Sequence, residues 1–341
     1  MRLQANATKR LSASPVSGAL KLTLAAILAM ASGLNAFDGQ AAESYPTRPI
    51  KIIAPFSAGS PPDALGRVVG QQLAERLGQS VIIETRPGGG TTIATKAGAT
   101  AEADGYTLLY VNAALAYSTV LYPNPGYDPL KSFSPVAALA SWSFFLFASA
   151  DVPAGTVQEL IAYAKANPDQ IHIGLQRGQA PHVVAETFKA ISGAPFNGVP
   201  YRQISQLTAD LLAGRVHAYF GTGAGPISLV QQGKLKALAY TGVARNPTLP
   251  QVLTVTEIGL PQLATIQDWM GVVAPAGTPP GAIKTLNAAI NAALASSEVQ
   301  TVFTTLGWDA KVASPQELAT FLAAEVKKWP PLVKAAGLEP D

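Results

Sequence analysis

The sequence predicts an exported α/β protein of two lobes, and three observations carry that expectation. Short apolar runs alternate with amphipathic helical stretches from Ile50 onward, the pattern restarts as a fresh unit after Ala150, and the first 44 residues differ in chemistry from everything after them. A β-loop-α-β alternation favours a doubly wound open sheet over an all-β sandwich, with ligands collecting at the carboxyl ends of the strands. The composition agrees: 7% aromatic residues, 30 glycines and many Ala and Val suit a sheet covered by helices. About 300 residues beyond the leader can bury one large core or two medium ones, and two lobes is the expectation.

The leader reads as a signal peptide over residues 1–42. Arg2, Lys9, Arg10 and Lys21 give a positive start, and Leu22 to Leu34 form an uncharged, mostly apolar run. Gly39, Ala41 and Ala42 supply small residues for cleavage after Ala41 or Ala42. The apolar run is too short for a membrane span, which needs roughly 20 residues. Of 24 Lys/Arg and 21 Asp/Glu, the first 41 residues hold four and one, leaving 20 of each. The mature chain is therefore formally neutral, and the basic whole-chain balance gives no support to a nucleic-acid or anionic-membrane partner. With no cysteine, neither a disulfide nor a thiolate metal site can form.

Ile50 to Phe56 is continuous in apolar character, as a buried parallel strand is, and Ser57 to Pro62 is turn-rich. Leu65, Val68, Val69, Leu73 and Leu77 then recur at helical spacing behind Asp63, a first-turn acid. Strands follow at Val81 to Thr85 and Tyr106 to Val111, and a long strand-like run at Val136 to Ala150. Thr156 and Glu159 have the spacing of a capping box for a helix from Val157. Ile171 to Leu175, His182 to Ser192, Gly198 to Tyr201, Leu207 to Ala213 and Ala218 to Gly221 alternate strand and helix as a second lobe, residues 146–236. Lys234 to Thr241 and Met270 to Ala274 read as strands returning to the first lobe, residues 43–145 and 237–341, which closes with helices at Gly281 to Leu294, Glu298 to Thr305 and Pro315 to Val326.

Little chemistry is complete. Gly88-Gly89-Gly90 follows a strand, but Ile93 stands where a dinucleotide loop needs its third glycine, so a sharp turn with positive φ is the simpler account. His172, His182 and His217 lack zinc-site spacing. No metal, nucleotide or other cofactor is expected. A serine hydrolase can be assembled from Ser57 or Ser60, His182 and Asp63, although no nucleophile-elbow motif accompanies them. The loop Ser57-Ala58-Gly59-Ser60-Pro61-Pro62-Asp63 is the most informative segment. It leads into a helix N-terminus, where unpartnered N–H groups and the helix dipole favour a carboxylate or phosphate. A plain βα turn with a capping acid remains the alternative.

Several segments together resemble the Bug family, the periplasmic solute receptors of tripartite tricarboxylate transporters. They include Pro55-Phe56-Ser57-Ala58-Gly59, Asp63, Arg67, Glu84-Thr85-Arg86-Pro87-Gly88, Ala103-Asp104-Gly105-Tyr106-Thr107-Leu108-Leu109 and Tyr127-Asp128-Pro129. The match continues through His182, Val199-Pro200-Tyr201-Arg202, Asp210-Leu211-Leu212, Gly233 to Ala239, Glu257-Ile258-Gly259 and Ala274 to Pro279, spanning about Tyr45 to Leu338. The resemblance implies a type II-like periplasmic binding protein: two α/β lobes, a hinge, and an interlobe cleft that holds one ligand without catalysis. It gives the grip on a ligand carboxylate to Phe56, Ala58, Gly59, Ser60 and Asp63, with Ser57 in the same loop, and to the loop around Gly178, Gln179 and His182. Arg177 and Arg202 lie near the second-lobe loops and could meet a distal acid group. The chain departs from the family at Ser60, Pro61-Pro62, Arg177 and Gln203, so the usual dicarboxylates cannot be assumed.

These features point to a monomeric periplasmic receptor that captures a small organic carboxylate and passes it to integral-membrane permease subunits. A secreted esterase and a receptor serving a signalling partner are the rival expectations. Intact mass of periplasmic material should show a chain beginning at Ala42 or Glu43; a mass that retains Met1 would refute export by cleavage.

Overall fold

The computed structural model describes residues 45–122 and 124–338, and the expected signal segment lies outside them. In the first sheet β1 (Ile50–Ala54) runs parallel between β2 (Val81–Thr85) and β3 (Thr107–Asn112). All the β1 residues but Lys51 are buried, which explains a run that is apolar except at that position. Beyond β3 the order continues antiparallel through β10 (Asp268–Pro275), β4 (Phe133–Trp142) and the short β11 (Asp309–Ala310). Helices α1 (Pro61–Leu77), α2 (Thr92–Ala99), α3 (Ala114–Leu121), α8 (Pro280–Leu294), α9 (Ser297–Leu306) and α10 (Pro315–Ala335) accompany this sheet.

The second sheet has the order β7-β6-β8-β5-β9, from β5 (Phe145–Ser149), β6 (His172–Leu175), β7 (Asn197–Pro200), β8 (Ala218–Gly221) and β9 (Leu235–Tyr240). Strand β6 is parallel to β7 and β8, while β5 is antiparallel to β8 and β9. Its helices are α4 (Val157–Ala166), α5 (Ala180–Ser192), α6 (Ile204–Leu212) and α7 (Ala224–Gln231). The capping box on α4 forms as its sequence predicts, with Glu159 N donating to Thr156 Oγ1 at 3.2 Å and Thr156 N to Glu159 Oε2 at 3.1 Å. The three glycines at 88–90 all take positive φ, as the turn required.

Four expectations need correction. The run Val136 to Ala150 is two strands in different sheets, because the chain crosses at Ser143 and Phe144. There Phe144 N donates to Thr241 Oγ1 and Thr241 N to Phe144 O, both at 2.8 Å. Strand β9 does not return to the first sheet: it pairs with β5, so the expected boundary at residues 236 and 237 falls inside it. Helix α3 was not expected, because six of its eight residues are buried and no polar face gives it a helical period. Helix α10 continues through Pro330 and Pro331, past the expected end at Val326. Burial of Trp329 and Val333 on its inner face outweighs the backbone hydrogen bonds that proline forfeits.

At the return into the first sheet stands Asp268, 4% exposed. Its Oδ1 accepts from Ala113 N at 3.1 Å and Trp269 N at 2.9 Å. Burial pushes its carboxyl up to about 7; the two N–H groups oppose this, the Glu325 carboxylate adds to it and Lys328 relieves it. The folded chain therefore holds a proton that the unfolded chain releases near pH 4. That contribution to stability is complete below the unfolded pKa and is lost as pH rises through about 7. Urea unfolding from pH 4 to 8 should show the protein losing stability relative to Asp268→Asn as pH rises to about 7, with the difference level above that. A constant difference across the range would refute the assignment.

Candidate functional site

The carboxyl ends of the parallel strands in the two sheets face one another, and the loops leaving them meet. Asn112 Nδ2, at the end of β3, donates to Gln179 Oε1 at 3.4 Å. Tyr117 Oη, in α3, donates to the Gly178 carbonyl at 3.2 Å. Trp308 Nε1, beside β11, donates to Thr222 Oγ1 at 2.9 Å, just beyond β8. Gly178 and Gly223 are glycine of necessity, both with positive φ. A Cβ on Gly178 would lie 2.9 Å from Gly90 Cα, and one on Gly223 would lie 2.9 Å from Pro61 Cγ. The two sheets are thus closed on each other at loops from both.

Within the β1–α1 loop Phe56 is buried, Ser57, Ala58 and Gly59 are exposed, and Ser60 is half-buried as the N-cap of α1. Asp63 is 3% exposed and braces the loop: its Oδ2 accepts from Gly59 N and from Arg67 Nε, both at 2.9 Å. This corrects the expectation of a loop rich in unpartnered N–H groups. Pro61 and Pro62 have none to give, Gly59 N is taken by Asp63, and Ser60 N donates to Ser57 O at 3.1 Å. Ser60 Oγ and Asp63 Oδ1 are buried without a protein hydrogen-bond partner among the described residues. Buried oxygens of this kind call for an O–H or N–H donor from water or ligand.

On the second sheet Gln179 is the N-cap of α5, with Pro181 and His182 in its first turn and Gly178 at φ 68° before it. Arg177, Gly178 and His182 line a cavity of about 450 Å³ together with Tyr122, Glu186 and Lys189. Its walls include none of residues 56–63. The expected residues therefore fall in two places: the β1–α1 loop in one, and Arg177, Gly178 and His182 in the other, where Gly178 is held by Tyr117 of α3 and the adjacent Gln179 by Asn112 of β3. Lys189 is paired with Glu186 at 2.9 Å inside that cavity. Arg202 is exposed on the β7–α6 loop. Its neighbour Tyr201 donates to Asp210 Oδ2 at 2.6 Å and is pushed up to about 12 by burial and by that bond. Asp210 is held below the usual carboxylate range by Tyr201 and Arg215.

Asn112, Tyr117, Thr222, Gly223 and Trp308 were not expected at this site. Only the Gly221-Thr222-Gly223 turn behind a strand gave a signal in the sequence.

Residues 65–338 match the family described as "Tripartite tricarboxylate transporter family receptor". The chain belongs to that family. BugT of Bordetella pertussis is 34% identical over 299 residues, covering 87% of this chain and 91% of that protein. Among solved structures, the periplasmic binding protein BugD is 32% identical with a TM-score of 0.81, covering 87% of this chain and all of that one. Rpa4515 of R. palustris, solved with adipate, gives the same identity, TM-score and coverage. Family and fold are those of periplasmic solute-binding receptors of transport systems. Among the described residues no helix is long and apolar enough to cross a membrane.

The receptor-family loop braced by Asp63 yields a direct test. Asp63→Ala should cost about 1.5–3 kcal/mol, the range for hydrogen bonds to a charged group. Asp63→Asn should cost less, because its amide oxygen can still accept from Gly59 N. Equal losses in urea denaturation would show that the brace is not the source of the stability.

Proposed function

We propose that the protein is a periplasmic solute-binding receptor that captures a small organic carboxylate and presents it to the permease subunits of a tripartite tricarboxylate-type transporter. The classes considered are di- and tricarboxylates, acidic amino acids and aromatic carboxylates. The observation that carries this is a pair of helix N-termini where the sheets meet: α1, whose Pro61 lies against Gly223 of the second sheet, and α5, whose N-cap Gln179 accepts from Asn112 of the first. The dipole of each favours an anion at its own N-terminus. A hydrolase has less support, because Asp63 Oδ2 is taken up by Gly59 N and Arg67 Nε rather than orienting a base. The adipate held by the similar R. palustris protein makes a linear diacid the first probe.

A thermal-shift screen of carboxylates tests the proposal, since a ligand at 100 times its dissociation constant adds roughly 2.7 kcal/mol of stability. Arg177 is the candidate partner for a distal acid group: it is exposed, and a guanidinium fork suits carboxylate. Calorimetry of Arg177→Ala should show a diacid losing about 1.5–3 kcal/mol and the corresponding monoacid losing little. The same loss for both acids would remove Arg177 from the site, and no carboxylate binding at all would refute the receptor function.

A further inference from the structure

The bond between Tyr117 and Gly178 joins the two sheets, and it starts from a side chain held in the core. The Tyr117 ring is fully buried and lies 4.8 Å, centroid to centroid, from the Trp329 ring. Trp329 Nε1 in turn donates to Glu325 Oε2 at 2.7 Å, and Trp269 Nε1 donates to the same oxygen at 2.7 Å. A chain of fixed contacts thus runs from the C-terminal helix through Glu325, Trp329 and Tyr117 to a backbone carbonyl of the opposite sheet. Beside it, Ser118 Oγ donates to Gly90 O at 2.9 Å, which sets the glycine turn that Gly178 meets. Helix α3 and that turn together form a seat shaped for the loop 176–179.

Opening the sheets would have to break this contact, and the two partners fare differently. The Gly178 carbonyl can turn to water as its loop swings away, whereas the Tyr117 ring is clamped by Trp329. A fixed donor and a movable acceptor are the arrangement of a latch whose moving part is the second-sheet loop. Tyr117 reaches the proposed binding loop only through the Gly178 carbonyl, so any effect it has on binding passes through Gly178 and the start of α5.

We propose that Tyr117 is a positioning residue of the closed receptor, whose hydroxyl holds the loop 176–179 against the first sheet and so governs how fast a bound carboxylate leaves. This rests on the receptor function proposed above. Tyr117→Phe keeps the ring and its packing on Trp329 and removes only the donor. In ligand-free protein, amide hydrogen exchange should rise about five- to tenfold at residues 176–182 and stay unchanged in β3 and α3, the size expected for one lost hydrogen bond. With adipate as probe, dissociation should speed up by a similar factor while association changes by less than about twofold. Gly178→Ala, whose Cβ would meet Gly90 Cα, should raise exchange in the same segment.

Unchanged exchange at residues 176–182 in Tyr117→Phe, a rise spread equally through α3, or an unaltered adipate dissociation rate in a variant that binds it would each overturn the proposal. If the unaltered protein binds no adipate, the diacid assignment fails, and the exchange comparison still decides the role of Tyr117.

Discussion

One buried carboxylate oxygen governs how the C-terminal helix meets the rest of the fold. Glu325 is 4% exposed, and its Oε2 accepts from the indoles of both Trp269 in β10 and Trp329 in α10, while Oε1 pairs with Lys328 Nζ at 2.5 Å. Removing that acceptor would leave two indole N–H groups without a partner in the interior, which is costlier than a hydrogen bond is favourable. Trp329 must sit where Glu325 holds it, and this carries α10 through two prolines that would otherwise end the helix. The ring so placed is the one against which Tyr117 packs. Position in the core and position at the cleft are therefore set by the same contact.

Where the chain passes between the sheets, bonding is dense rather than loose. Phe144 and Thr241, on different crossing segments, exchange two hydrogen bonds, and Gln267 on a third donates to Ser143 Oγ at 3.3 Å. On the first-sheet side Trp142 stacks on Trp308 with centroids 3.9 Å apart and planes 11° from parallel. Segments tied to each other in this way resist being drawn apart, which makes the crossing the stiff part of the junction between the sheets. Strand β6 lies on the far side of β8 from β5 and β9, the strands at the crossing, so the β6–α5 loop and its bonds to Asn112 and Tyr117 sit away from that stiff part.

Much of this fold was legible in the sequence, and the failures have physical causes. The β1 run, the capping box at Thr156 and the glycine turn at 88–90 each rest on local chemistry and formed as expected. What was missed depends on partners distant in sequence. Lys234 to Thr241 carries no mark of which sheet it joins, since only its pairing with β5 decides that. Helix α3 is hidden by its own burial, and Tyr117 by its place in that helix. At the candidate site, the βα turn and the acid at Asp63 were visible, but the role of the acid was not. A carboxylate at that position can face a ligand or brace its own loop: Oδ2 does the second through Gly59 and Arg67, while the buried Oδ1 keeps no protein partner among the described residues.

The prolines at the two helix starts have a consequence for selectivity. Pro61 and Pro62 occupy the first two positions of α1, and Pro181 the second of α5, so both helices keep their dipoles while their N–H donors are thinned. A dipole attracts any carboxylate placed on its axis, whereas N–H groups aimed at particular oxygens distinguish one carboxylate from another. In the proposed receptor, general attraction for acids is therefore retained while directional recognition shifts to what remains: the exposed residues Ser57 and Ala58, the buried Ser60 hydroxyl, and side chains on the opposite sheet. Gln179 is already committed to Asn112 when the sheets are closed. The distal part of the ligand, rather than the shared carboxylate, then carries most of the discrimination, and the residues that meet it on the second sheet are the ones whose exchange would change what this receptor collects.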